Sequence, residues 1–530
     1  MNTRLQQFLD NMVPRIADLH KRSNDAYWKA TTTGNPADEE RYADLRSQLL
    51  KLYADREAFA DLKEMRESGQ VTEPLLARQL DVLYTQFAEQ QIDEADIEEL
   101  VRRETEIEGR FTMYRATIDG EKVSDNEIHD ILANVTDSEK RRAAWEASKQ
   151  IGPEVAGKVV ELVKFRNQIA SKLGYANYYE MSLEFQEIDK QELFDVLGQL
   201  EAATRAPFAA MKAELDAELA ARCGIAPDEM RPWHYADPFF QEAPASEAVD
   251  LNQFFAAQDV VALSKVYFDG VGLDIQDILD RSDLYEREGK NQHAYCTDID
   301  REGDVRILCN VRPNEYWMAT MLHELGHGVY DKNYDEQLPW LLRGIAHILT
   351  TEAIAMLFGR LTKDADWLTK IAGVPAEQAQ AVSSEVAKQL TRAMLIFVRW
   401  GLVMTHFERD MYQNPDQDLN TLWWDYVERF QMVKRVEGRN APDWAAKIHL
   451  GTAPVYYQNY ILGELCASQF LAAMERDLQL TSVTQDPRIG QWLTDKVFKP
   501  GARYQWNEMI TQATGLPLTP KFFVEQFVTA

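Results

Sequence analysis

Two histidines four residues apart, with a glutamate directly after the first, stand at His323, Glu324 and His327 in the stretch ATMLHELGHGVY (319–330). On a helix, positions i and i+4 project from one face. The two imidazoles can therefore bind one ion, with Glu324 beside it but not among its ligands. This is HExxH, the spacing of zinc hydrolases, in which the glutamate serves as general base. Met321, Leu322, Val329 and Tyr330 would bury such a helix, which two solvated surface histidines would not need. A catalytic zinc keeps three protein ligands and leaves one place for water. One Zn2+ per chain thus requires a third donor from elsewhere. HILTTEAIAMLFGRL (347–361) starts a new apolar helix, with Thr350 and Thr351 as candidate caps and Glu352 in or near the first turn, 25 residues after His327. A glutamate there either ligates the ion or merely complements the helix dipole, and spacing alone does not choose.

Other chemistry-bearing residues lie in AAKIHLGTAPVYYQNYILGEL (445–465), which holds Lys447, His449, Tyr457 and Tyr460. Tyr457 and Tyr460 are three apart and share one helix face. Taken singly, tyrosines at helical spacing are usually core, and a lone lysine is a surface charge. Together, a Tyr–Lys–His cluster is a reasonable receiver for a carboxylate and an oxyanion.

HELGH followed 25 residues later by Glu352, on an EAI-type helix, resembles the helical HExxH…E zinc peptidases. Two branches fit: the angiotensin-converting-enzyme-like peptidyl-dipeptidases and the thimet-oligopeptidase-like enzymes. Lys447-x-His449 followed by Tyr457-x-x-Tyr460 is similar to the converting-enzyme KxH…YxxY segment, with one extra residue in the loop. His293-Ala294, lying 30 residues before His323, matches that family's His-Ala strand. The resemblance implies zinc on His323, His327 and Glu352, and Glu324 as general base. It implies His449 and Tyr460 on the substrate and its oxyanion, Lys447 and Tyr457 on the terminal carboxylate, and His293 and Ala294 pairing with an extended peptide. Three positions depart from the pattern. Met356 replaces an aspartate that supports a zinc histidine, Asn459 replaces a chloride-binding arginine, and the glutamine of the carboxylate clamp has only Gln241 as its nearest candidate. The implied activity is a zinc metallopeptidase releasing C-terminal dipeptides from short peptides. The alternatives are an oligoendopeptidase or, in another class, a helical binding protein that keeps zinc for structure and would not need Glu324, His449 or Tyr460.

The elements that must hold these residues are helices. Residues 2–31, 37–66, 74–118, 125–149, 153–173 and 191–222 carry apolar positions at three- and four-residue spacing. Ser124-x-x-Glu127 and Thr136-x-x-Glu139 read as capping boxes, and Gly120 as a helix stop. Residues 223–244 read as an ordered irregular connection, and 291–311 as a hairpin around Asp300–Asp304. The expected fold is all-α: in the family's form, an ellipsoid with a deep substrate channel, a lid over about residues 1–120 and one small β-hairpin near the active-site motifs of 290–465. A single metallopeptidase domain over 1–530 is expected. The 22 Phe, 12 Trp and 21 Tyr exclude a mostly disordered chain. With 57 Lys and Arg against 86 Asp and Glu, the net charge is −29, which argues against nucleic acid and anionic lipid as partners. No apolar run reaches membrane-span length. Four cysteines with no CxxC pair give neither a disulfide scaffold nor a cysteine zinc site. The polar, amphipathic start reads as cytoplasmic, or as a periplasmic or secreted form whose leader has been removed.

Overall fold

The structure, a computed structural model, describes residues 1–244 and 249–528. Helices dominate, and strands are confined to two antiparallel pairs among the described residues, so the chain is all-α. No described helix is long and apolar enough to cross a membrane. The chain divides into two compact units. The first comprises Met1–Gln91, Val249–Val386 and Leu462–Phe522; the second comprises Ile92–Ala248, Ala387–Ile461 and Phe523–Ala530.

In the first unit, Leu5, Leu9, Met12 and Ile16 fall on one face of the helix Asn2–Thr33 (α1). They join Leu49 and Leu52 of the helix Pro36–Tyr53 (α2), Leu62 of Arg56–Glu67 (α3), and Leu80, Leu83 and Phe87 of Pro74–Glu89 (α4) in one buried cluster. Gly34 ends α1 with φ 63°. A Cβ there would meet the carbonyl oxygen of Gly289 at 2.3 Å, and Gly289 itself has φ 81°, so both positions require glycine.

The expected hairpin forms from Tyr295–Asp298 (β1) and Val305–Leu308 (β2), with Tyr295 opposite Leu308 and Asp298 opposite Val305. Ile307 turns its backbone away from β1: its N–H donates to Ser282 Oγ and its carbonyl accepts from Asp283 N–H. Cys296, opposite Ile307 in the register, thus points its own N–H and C=O to the free edge of the sheet. The helix Glu315–Lys332 (α5) follows, capped by Asn314, whose side chain accepts from Trp317 N–H.

The second unit holds Glu94–Met113 (α6), Ser138–Lys149 (α7) and Ile151–Lys172 (α8). Ser124 and Glu127 form the expected capping box. Three local readings are corrected here. Thr136 does not cap α7; the carboxylate of Asp137, one residue later, accepts from Lys140 N–H at 2.9 Å. Helix does not run on to residue 118 either. A second hairpin pairs Ala116–Ile118 with Glu121–Val123. Gly120 is not a helix stop: it and Asp119, at φ 85° and 52°, form the two-residue turn. Positive φ at both central residues is what a type I′ hairpin turn demands, and Asp-Gly supplies it.

Candidate functional site

The HELGH face of α5 meets the helix Ile348–Gly359 (α9) at a glycine. A Cβ on Gly326 would lie 2.8 Å from Ala355 Cα and 3.2 Å from Ile354 O, so only glycine lets the two backbones approach this closely. That approach sets Glu352 Oε2 3.7 Å from His323 Nε2 and 4.0 Å from His327 Nε2. One donor atom from each residue lies within 4.8 Å of the other two, and this is the one such group among the described residues. Tetrahedral ligands at about 2.0–2.1 Å from zinc stand roughly 3.3 Å apart, so an ion would draw these donors inward by about half an ångström or somewhat more.

The cap of α9 differs from expectation. His347, not Thr350 or Thr351, is the N-cap, its Nδ1 accepting from Leu349 N–H at 3.1 Å. Thr350 bonds back to His347 O, and Glu352 falls in the second turn, beyond the reach of the dipole reading. Thr351, not needed as a cap, places its hydroxyl 2.7 Å from His327 Nδ1. That contact holds the ring so that Nε2 faces Glu352.

Charge states suit a cation. Burial keeps both imidazoles neutral, pushing His323 down to about 4 and His327, with His323 adding, down to about 3; a metal-binding histidine must be neutral. Burial, then the nearby Glu352 charge, pushes Glu324 up to about 8. Burial, then Glu464, pushes Glu352 up to about 7. A divalent cation among them acts in the opposite direction. Glu464 itself is held by Arg360.

His323, Glu324, His327, Thr351 and Glu352 line a cavity of about 470 Å³ together with Ala294 and Cys296. His293 and Ala294 immediately precede β1; the ring of His293 is exposed, while Ala294 is half-buried on the cavity wall. Sequence reasoning missed Asp298 and Asp331, which line the same cavity. Burial, then Asp331, pushes Asp298 up to about 7, and Tyr334 donates to Asp331. Asp331 was legible as the next i+4 position after His327.

The other predicted residues gather within the second unit. The rings of His449 and Tyr457 are 5.2 Å apart, and those of Tyr457 and Tyr460 are 5.4 Å apart. Lys447 Nζ donates to Gln241 Oε1 at 2.7 Å. Trp400, which sequence reasoning did not single out, donates from Nε1 to Tyr457 Oη at 2.7 Å. Burial pushes Lys447 down to about 8. Burial, then the Lys447 charge, pushes His449 down to about 4, and its Nδ1 is buried with no hydrogen-bond partner among the described residues. Ahead of these tyrosines, Val455 takes a left-handed conformation (φ 53°) that a β-branched residue adopts only under restraint. Buried Glu408 accepts its N–H at 2.8 Å, and Gln186 and Gln458 donate to its carbonyl. Asn459 donates to Gln186 at 2.8 Å.

Residues 131–529 match the family model described as Peptidase family M3, and residues 1–219 match that described as Angiotensin-converting enzyme. Similar proteins include Carboxypeptidase 1 of Bacillus subtilis (strain 168), 24% identical over 263 residues, which is 44% of this chain and 51% of that protein. The Angiotensin-converting enzyme-related protein of Drosophila melanogaster is 23% identical over 254 residues, 44% of this chain and 40% of that protein. The chain thus spans about half the length of the relatives it matches, or less.

Proposed function

The chain belongs to peptidase family M3, and from that premise we propose that it is a zinc metallopeptidase that hydrolyses short peptides and releases C-terminal dipeptides, with residues 1–530 acting as one peptidase domain. The observation that carries the peptidase reading is the convergence of His323, His327 and Glu352. Neutral imidazoles and a carboxylate form a zinc donor set, and these three would hold the ion. When bound, zinc lowers the pKa of a water molecule toward neutrality and polarises a carbonyl. Glu324 takes the proton of the attacking water and delivers it to the leaving amine. Tyr460 and neutral His449 donate hydrogen bonds to the developing oxyanion; losing one such donor typically costs about 3–4 kcal/mol. The backbone edge at His293, Ala294 and Cys296 pairs with the extended peptide as an added strand. Lys447 and Tyr457, with Gln241, receive the C-terminal carboxylate through charge-assisted hydrogen bonds.

The Gln241–Lys447–Tyr457 cluster supports dipeptide release, and the name of the B. subtilis relative agrees with action at the carboxyl end. An oligoendopeptidase is the second reading, and it draws on the same family match. Amidating the C-terminus of a test peptide separates the two: a large fall in kcat/KM supports the first, indifference the second. Turnover lost on chelation and regained with zinc is expected of both. Turnover that survives metal removal would refute the metallopeptidase assignment.

A further inference from the structure

The segment that delivers Gln241 rests on a buried cation to which the reaction above gives no role. Lys149 ends α7, yet only 3% of it is exposed. Lysines in the last turn of a helix usually turn their charge to water, and a dry ammonium is costly unless its charge serves a neighbour. Lys149 Nζ donates to Pro238 O at 2.8 Å and lies 3.3 Å from the centroid of the Phe239 ring. It forms no ion pair among the described residues. The two carboxylates nearest in effect are engaged elsewhere: Asp443 pairs with Arg439 at 2.6 Å, and Asp237 accepts from the N–H groups of Phe239, Gln241 and Glu242. Lys447 shares the same aromatic ring, its Nζ 5.5 Å from the Phe239 centroid. With 3.3 and 5.5 Å to one centroid, the two ammonium nitrogens are less than about 9 Å apart. Besides those bonds to Asp237, the segment is pinned by Trp145 Nε1, which donates to Pro238 O, and by Gln431, which donates to Phe239 O and Phe240 O.

We propose that Lys149 is a positioning residue of the carboxylate site: it locks Pro238 and Phe239 so that Gln241 stays on Lys447, and its charge selects peptides that end in a free carboxylate. The assignment rests on the dipeptide-releasing reading above. A carboxylate held on Lys447 lies within roughly 12 Å of Lys149, and a unit charge at that range, in a surrounding of effective dielectric about 20, alters a binding constant about 10-fold; burial pushes Lys149 down to about 7, so the full charge is present below that pH.

The test is kcat/KM for one peptide as free acid and as C-terminal amide, taken as a ratio, in the wild type, Lys149→Met and Lys149→Arg. Met keeps the length of the side chain and removes the charge; Arg keeps the charge. The expected result, at pH 6, is a ratio that falls about tenfold in Lys149→Met, carried by KM for the free acid, and stays within about threefold of wild type in Lys149→Arg. An unchanged ratio in Lys149→Met overturns the proposal. So does equal loss of both substrates in both variants, which makes Lys149 a general support of the fold. A wild-type ratio near one removes the carboxylate site itself and this inference with it, so the two failures are told apart by the wild-type measurement.

Discussion

Replacing Gly326 by alanine should loosen the metal centre without touching a ligand. The new Cβ would meet Ala355 Cα at 2.8 Å, Ala355 N at 3.2 Å and Ile354 O at 3.2 Å, all of them backbone. No rotamer change relieves such a contact. Restoring an ordinary separation of about 3.5 Å means moving α5 and α9 apart by roughly 0.7 Å, and overpacking of this kind costs about 1–3 kcal/mol. Glu352 lies three residues before Ala355 on α9, and its carboxylate is already 3.7 and 4.0 Å from the two Nε2 atoms. The displacement therefore opposes the inward movement of about half an ångström that tetrahedral zinc requires. Zinc affinity, measured by competition with a chromophoric chelator, should fall about 10-fold or more, and the melting temperature should fall by about 1–3 °C, at about 1 °C per kcal/mol for a chain of 530 residues. Wild-type affinity together with an unchanged melting temperature would show that the close approach does not set the metal geometry.

Three further outcomes are expected. Thr351→Val removes the hydroxyl on His327 Nδ1 and should lower zinc affinity about 10-fold, with Thr351→Ser restoring it; equal affinities would deny the hydroxyl any role. Glu324→Gln should abolish peptide turnover while metal analysis still finds one zinc per chain; loss of zinc would place Glu324 among the ligands instead. Burial pushes Glu408 up to about 7 from an ordinary value near 4.5, so the folded chain holds a proton that the unfolded chain releases between those values. Its stabilising contribution is complete below about 4.5 and is lost as pH rises through about 7. Glu408→Gln keeps an acceptor for Val455 N–H and escapes that loss, so its melting temperature relative to wild type should be several degrees higher at pH 8 than at pH 5. A pH-independent difference would show that the carboxyl does not titrate on unfolding.

Local patterns were legible without the fold. His323 and His327 share a face because a helix repeats every 3.6 residues, wherever that helix lies. The hairpin around Asp300–Asp304 and the Ser124 capping box follow from β-friendly runs and cap chemistry just as locally. Asp119-Gly120 carried an equally local signal for the second hairpin, but the helical periodicity before it masked the turn.

Tertiary structure decided what depends on two segments meeting. Glu352 comes to the two histidines because His347, not a threonine, caps α9 and Gly326 lets α9 come against α5. Thr351 as the support of His327, and Gln241 as the partner of Lys447 across 206 residues of chain, carry no sequence spacing at all. Helix period and capping are properties of neighbouring residues. A triangle of donor atoms depends instead on how closely two backbones can pack, and here the absence of a single Cβ permits that approach.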